Sequence, residues 1–191
     1  MDLAVEACAQ AGLSPVVVVL GAARLGPLLP TDSRVGAVGE VSDDAEVSAA
    51  GNVGAEGGVG VNAEVRLLHN PDWATGIASS LRAGLTALES DRDIDAVVVT
   101  LVDTPCVNAE HLRRIGLSLR DGATAAVATY EGQARTPVGL TREVWADVAR
   151  TVAGDEGARR WLRLHPHLVT DVECADLGFW TDIDTPADLP D

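Results

Sequence analysis

The sequence predicts an α/β fold with a mainly parallel sheet and helices on both faces, and two observations predict it. Short β-branched runs alternate along the chain with segments whose apolar residues recur at helical spacing. The run VVVVL (16–20) is continuously apolar rather than alternating, the pattern of a strand buried on both faces.

Residues 2–12 read as a short helix with Leu3, Ala7 and Ala11 on one stripe and Gly12 as its stop. Ser14-Pro15 then feeds the first strand, and GAARLGPLLP (21–30) turns into a short helix that ends before Pro30. Residues 31–64 are rich in Gly, Ala, Ser and acids, contain no aromatic and hold no sustained period, so they read as a disordered insertion. VRLLH (65–69) is a strand. Ile77, Leu81, Leu85 and Leu88 mark the helix that follows it, and residues 96–102 form the next strand.

Asn108 can cap a helix whose Leu112, Ile115 and Leu119 face inward. Residues 123–130 are a strand, and EGQARTPVGL holds a turn and a short strand. Val144, Val148 and Val152 mark a helix from about Thr141. Asp155 and Glu156 are expected in the first turn of another, where acids suit the helix dipole. Residues 167–174 form a last strand, and no internal repeat is evident, so residues 1–191 read as one domain.

Composition narrows the function. A net charge of −15 argues against nucleic acid, which needs a basic surface. No apolar run approaches the ~20 residues of a spanning helix, and Asp2 and Glu6 make the start a poor signal peptide. Three widely spaced cysteines without a CxxC pair oppose a disulfide framework or a zinc knuckle, so a reducing cytoplasm is the expected compartment. All fourteen cationic side chains are arginine. A nucleotide substrate would therefore be met by arginines, backbone N–H groups and a divalent cation.

Ligands of open α/β sheets bind at the carboxyl ends of strands, which singles out Asp103 in DAVVVTLVDTPC. A turn or helix cap is an equally good reading on position alone. The tail TDIDTPAD (181–188) repeats the Asp-Thr-Pro signature. Two carboxylates in one cleft repel unless a cation lies between them, and hard oxygen ligands suit Mg²⁺. Asp188 reads as a surface charge.

NPDWATGIASS (70–80) joins a strand to a helix, where small residues let a ligand approach and a helix N-terminus offers N–H donors. An ordinary loop capped by Thr75 is the alternative. GQARTP (132–137) and GDEGAR (154–159) carry arginines able to grip phosphates, although surface salt bridges are commoner. His165 and His167 lack a third ligand and read as loop residues.

Taken in order, NPDWATGIASSLRAGL, VVVTLVDTPCV, RTPVGL, GDEGAR and DIDTPADL resemble the MobA-like nucleoside triphosphate transferases, in the branch of the molybdenum cofactor cytidylyltransferases. The likeness runs from Leu3 to Leu189 and implies a Rossmann-like sheet of the nucleotide-diphospho-sugar transferase type. It also implies transfer of a nucleotidyl group from CTP or GTP to a phosphorylated small-molecule acceptor, with release of pyrophosphate. Asp103 corresponds to the family's Mg²⁺ ligand, and Asp184 (or the nearby Asp182) to the acid that completes the site. Asn70, Gly76, Ser79, Ser80 and Pro105 match positions on the nucleotide side. Arg135, Pro137, Asp155, Gly157 and Arg159 fall on the acceptor side.

The resemblance also implies a departure. Family members open with a strand and a glycine-rich loop, LAAGxxxRxGxxK, and this sequence begins at the helix that follows them and contains no lysine. That strand would lie mid-sheet, between VVVVL and the strand that leads to Asp103. Its loss is expected to expose two apolar edges unless the gap closes, other chain fills it, or the true start lies upstream. The 191-residue chain is accordingly expected to bind NTP weakly, if at all, and to release negligible pyrophosphate. A catalytically silent relative that binds a nucleotide or a partner is the alternative function.

Overall fold

The structure, a computed structural model, describes residues 2–22, 48–53 (backbone only) and 63–178. Helix α1 (Asp2–Gln10) leads into β1 (Val16–Leu20). Strand β2 (Ser48–Val53) precedes β3 (Ala63–His69), and a 3₁₀ turn at Trp73–Thr75 leads into α2 (Ile77–Glu89). The chain continues through β4 (Ala96–Val99), α3 (Ala109–Arg120), β5 (Ala125–Tyr130), β6 (Gln133–Thr141) and α4 (Arg142–Thr151). It then forms α5 (Arg159–Leu164) and β7 (Val169–Glu173).

The α/β class is as expected, and the sheets are mixed. One has the order β1-β3-β2 and the other β4-β6-β5-β7. β1 runs parallel to β3, and β5 to β7, whereas β2/β3, β4/β6 and β5/β6 are antiparallel. The antiparallel centre of the second sheet follows from a tight hairpin. Glu131 (φ 51°) and Gly132 (φ 78°) both take left-handed conformations, the geometry that matches strand twist in a two-residue turn. The turn returns β6, nine residues long rather than short, to lie between β5 and β4.

The facing edges of β1 and β4 have no strand partner among the described residues. Val17 nevertheless shares one core with Val97, Val99 and the buried faces of α2 and α4. Val16, Val18 and Leu20 share a second with Val98, Leu112 and the α1 residues Ala7, Cys8 and Ala9. Between the two strands lies a cavity of about 490 Å³, bounded by α2 and α1.

Capping explains several boundaries. Asn108 accepts from the N–H groups of Glu110 and His111, and the His111 ring accepts from the Asn108 N–H, closing a capping box on α3. Arg142 donates to the carbonyl oxygens of Leu88, Glu89, Asp91 and Ile94, satisfying the carboxyl end of α2. The buried Trp145 and Trp161 find acceptors in Leu140 O (3.1 Å) and Asp147 Oδ2 (2.6 Å).

Four boundaries differ from expectation. Strand β2 lies inside the segment read as disordered; it carries no alternation and is recruited by pairing with β3. β4 ends at Val99 because the chain turns away, with Thr104 Oγ1 donating to Leu101 O at 2.9 Å. α1 ends at Gln10, just ahead of Gly12 at φ 77°. Asp155 and Glu156 precede α5 rather than opening it, because Gly154 (φ 55°) and Gly157 (φ 53°) interrupt helical backbone. The short helix expected over 21–30 lies outside the described residues beyond Ala22.

Candidate active site at the strand ends

The N–H of Asn70 donates to Leu20 O at 2.8 Å, so the carboxyl ends of β1 and β3 are tied together. The Asn70 side chain is 3% exposed and fully used. Its Nδ2 donates to Ser79 Oγ (2.8 Å) and Ser80 Oγ (3.0 Å), and its Oδ1 accepts from the Asp72 N–H (3.0 Å). Ser79 Oγ in turn lies 2.8 Å from Gly76 O and 3.0 Å from Asp72 O. Asn70 and Ser79 therefore shape the turn, and Ser80 is the one of the three that lines the large cavity.

Gly76 caps α2 with φ 109°. A Cβ there would lie 2.5 Å from the carbonyl of Gly154 and 2.7 Å from Asp155 Oδ1, so only glycine admits this approach. Across the contact the Ala78 N–H donates to Gly154 O (2.9 Å) and the Ile77 N–H to Asp155 Oδ1 (3.4 Å). These contacts correct two expectations. The first N–H groups of α2 are engaged by the 154–155 loop rather than open to a ligand, and Thr75 is not the cap, because its hydroxyl donates to Asp72 O.

Ser80, Arg135, Asp155, Gly157 and Arg159 meet around the 490 Å³ cavity, although they come from three separate stretches of sequence. Arg135 donates to Gln133 Oε1 (2.8 Å) and Ala134 O (3.0 Å) among its contacts. Pro137, in β6, is fully buried and contributes shape only. Thr100, Leu101 and Val102 line both this cavity and a smaller one of about 50 Å³ that includes Pro105. Asp103 follows directly in the turn and is exposed. Asp184 and its alternative Asp182 lie outside the described residues.

Two features escape the sequence reading. Thr100 Oγ1 is the one buried side-chain polar atom without a partner among the described residues, and it stands at the junction of the two cavities. The signal was a lone hydroxyl in the apolar run VVVTLV. Cys8 forms part of the cavity floor, and burial pushes its thiol up to about 11, so it faces the cavity uncharged. Among the described residues no three His, Cys, Asp or Glu side chains gather as a metal cluster. The donor set at the strand end is the single hard carboxylate of Asp103, which fits Mg²⁺, an ion that commonly takes one or two protein carboxylates.

Residues 1–170 match the MobA-like NTP transferase domain. The chain belongs to that family. Nicotine blue oxidoreductase of Paenarthrobacter nicotinovorans is 33% identical over 126 residues, which are 63% of this chain and 60% of that protein. The MobA-like chain thus aligns with less than two thirds of that relative's length.

Among solved structures, the Rv0371c homologue from Mycobacterium sp. strain JC1 is 28% identical with a TM-score of 0.52, over 64% of this chain and 59% of its own. Rv0371c of Mycobacterium tuberculosis is 20% identical with a TM-score of 0.63, over 98% of this chain and 80% of its own. Its complex with manganese is 19% identical with a TM-score of 0.61, over 96% and 80%. The two Rv0371c structures support the MobA-like fold. No helix among the described residues is long and apolar enough to cross a membrane.

Proposed function

We propose that this MobA-like domain is a Mg²⁺-dependent nucleotidyltransferase that moves the NMP of CTP or GTP onto a phosphorylated, molybdopterin-like acceptor. An acceptor phosphate oxygen attacks the α-phosphorus, the bond to the β-phosphate breaks, and pyrophosphate leaves. The observation that carries this reading is the convergence of Ser80, Arg135, Asp155, Gly157 and Arg159 on one cavity beside the Asp103 turn.

Each group has a part in that chemistry. Arg135 and Arg159 bring the cationic forks that hold an acceptor phosphate. The Asn70–Ser79–Ser80 bonds fix the nucleotide side against the ends of β1 and β3. Mg²⁺, held by Asp103 with Asp184 as second carboxylate, would neutralise charge on the triphosphate. The manganese complex of Rv0371c is consistent with divalent-metal use in this fold. Cys8, Cys106 and Cys174 are free, which suits a cytoplasmic setting.

Transfer of α-labelled CMP or GMP to a phosphorylated pterin, with Mg²⁺ present, tests the reading. Labelled acceptor is expected in trace amount only, because the sequence contains no lysine to grip the triphosphate. Metal-dependent NTP binding with no labelled acceptor under any condition favours the catalytically silent relative instead.

A further inference from the structure

The turn that carries Asp103 ends in a capping box built around a buried histidine. Thr104 Oγ1 donates to Leu101 O (2.9 Å) and the Val107 N–H to Thr104 O (3.0 Å). The next residue, Asn108, is fastened through its own N–H to His111 Nδ1 (3.3 Å). That nitrogen also lies 3.0 Å from Asn108 Oδ1, which already accepts from the N–H groups of Glu110 (3.0 Å) and His111 (3.4 Å). One nitrogen cannot serve both contacts. In a neutral ring with its proton on Nε2, Nδ1 is bare and accepts from the Asn108 N–H. In the imidazolium both nitrogens donate, so Nδ1 turns to Oδ1 and the Asn108 N–H loses its partner.

The surroundings favour the neutral ring. His111 is 2% exposed, and burial, followed by the Arg114 guanidinium, holds it below its ordinary value, while Asp176 and Glu110 pull the other way. Both acids are already committed, Asp176 to Arg114 at 2.7 Å and Glu110 to Arg113 and Arg114. Tyr130 of β5, its ring centroid 6.0 Å away, and Cys174 after β7 are both pushed up by burial and stay uncharged. In β7, Glu173 accepts from Thr129 and the Ala175 N–H, and Asp171 is exposed. β4 has no charged residue, and β6 has only Arg135, with Gln133 and Ala134 O among its contacts. α1 has no cation, and its Glu6 accepts from Gln10. In the turn itself Asp103 and Cys106 are exposed. A charged ring would also stand in the first turn of α3, where the helix dipole opposes cations.

We propose that His111 is a proton-operated latch on the Asp103 turn: neutral, it closes the capping box and holds residues 103–108 in place, and protonated, it releases Asn108 and frees the turn. The latch acts through the backbone, so it stands whether or not Asp103 holds a metal. Because the folded ring titrates below its ordinary value, the latch is closed at neutral pH and opens as pH falls through that lowered value.

The test follows the full chain from about pH 8 to about pH 4.5, a range that spans histidine titration. Nuclear magnetic resonance reads the His111 ring and the Asn108 amide, and hydrogen exchange, corrected for the intrinsic rate, reads residues 104–112 against β5. The Asn108 amide shift should follow the His111 ring with one midpoint. Protection over 104–112 should fall about tenfold or more across that midpoint while β5 is unchanged. His111→Gln keeps an acceptor for the Asn108 N–H, as in the ordinary capping box, and should hold its protection at every pH. His111→Leu, which has no acceptor, should be loose at every pH. Three results would overturn the proposal: protection over 104–112 that is flat with pH in the wild type, an Asn108 amide that does not follow the His111 ring, or an acid-side loss that persists in His111→Gln. The first two are read on the wild type alone, so they decide the matter even where a variant fails to fold.

Discussion

The backbone N–H of Ala78 donates to the carbonyl oxygen of Gly154 at 2.9 Å, so the first turn of α2 is fastened to a loop far along the chain. Gly76 makes the approach feasible, with φ 109° and no side chain between the two segments. Gly76→Ala must strain the backbone and displace Gly154 and Asp155 together. A loss of about 1–3 kcal/mol is expected from urea unfolding. An unchanged midpoint would mean that the contact is dispensable.

Asn70 has a comparable structural load. Asn70→Ala removes the donor for Ser79 and Ser80 and the acceptor for the Asp72 N–H in a buried position. The expected cost is about 1–3 kcal/mol, read from the same unfolding curves. Asn70→Asp keeps the acceptor for Asp72 but loses the donor, and should also be destabilised.

Thr100 offers a prediction of opposite sign. Its buried hydroxyl has no partner among the described residues, so Thr100→Val replaces an unsatisfied polar group with a methyl of similar shape. Thermal unfolding should show no loss, and up to about 1 kcal/mol of gain. A clear destabilisation would show that the hydroxyl is bonded in solution.

Acid should weaken the fold through identifiable carboxylates. The Arg114 guanidinium holds Asp176 below its usual range through two 2.7 Å bonds, and the Trp161 indole N–H does the same for Asp147. The Ala175 N–H lowers Glu173. Because the folded values lie below the unfolded ones, the stabilisation is complete above the unfolded range near pH ~4 and is lost as pH falls through the folded values. All three carboxylates are exposed to solvent, so the effect is modest. Arg114→Met should shrink the acid-side loss, and an identical stability–pH profile would exclude the pair as a contributor.

Much of the frame was legible because it rests on local patterns. Ile77, Leu81, Leu85 and Leu88 predict α2 by spacing, and Asn108 announces α3 by its capping chemistry. Nothing local predicts β2, whose SAAGNV has neither alternation nor bulk and depends on β3 for its pairing. The reach of β6 was hidden for a similar reason, since its nine residues are set by strands on both sides. At the site, the residue types around the cavity were readable from their motifs. That Asn70 and Ser79 are consumed by their own turn, and that Asp155 engages α2, depends on contacts between distant segments.

Isothermal titration of CTP and GTP, with and without Mg²⁺, into wild type and Asp103→Asn tests the central claim most directly. Asp103 is exposed in its turn, so the substitution should leave stability within about 0.5 kcal/mol. Metal-dependent nucleotide binding by the wild type, lost in Asp103→Asn at unchanged melting temperature, is the predicted result. Binding that ignores both Mg²⁺ and the substitution would contradict it and return Asp103 to the role of a turn residue.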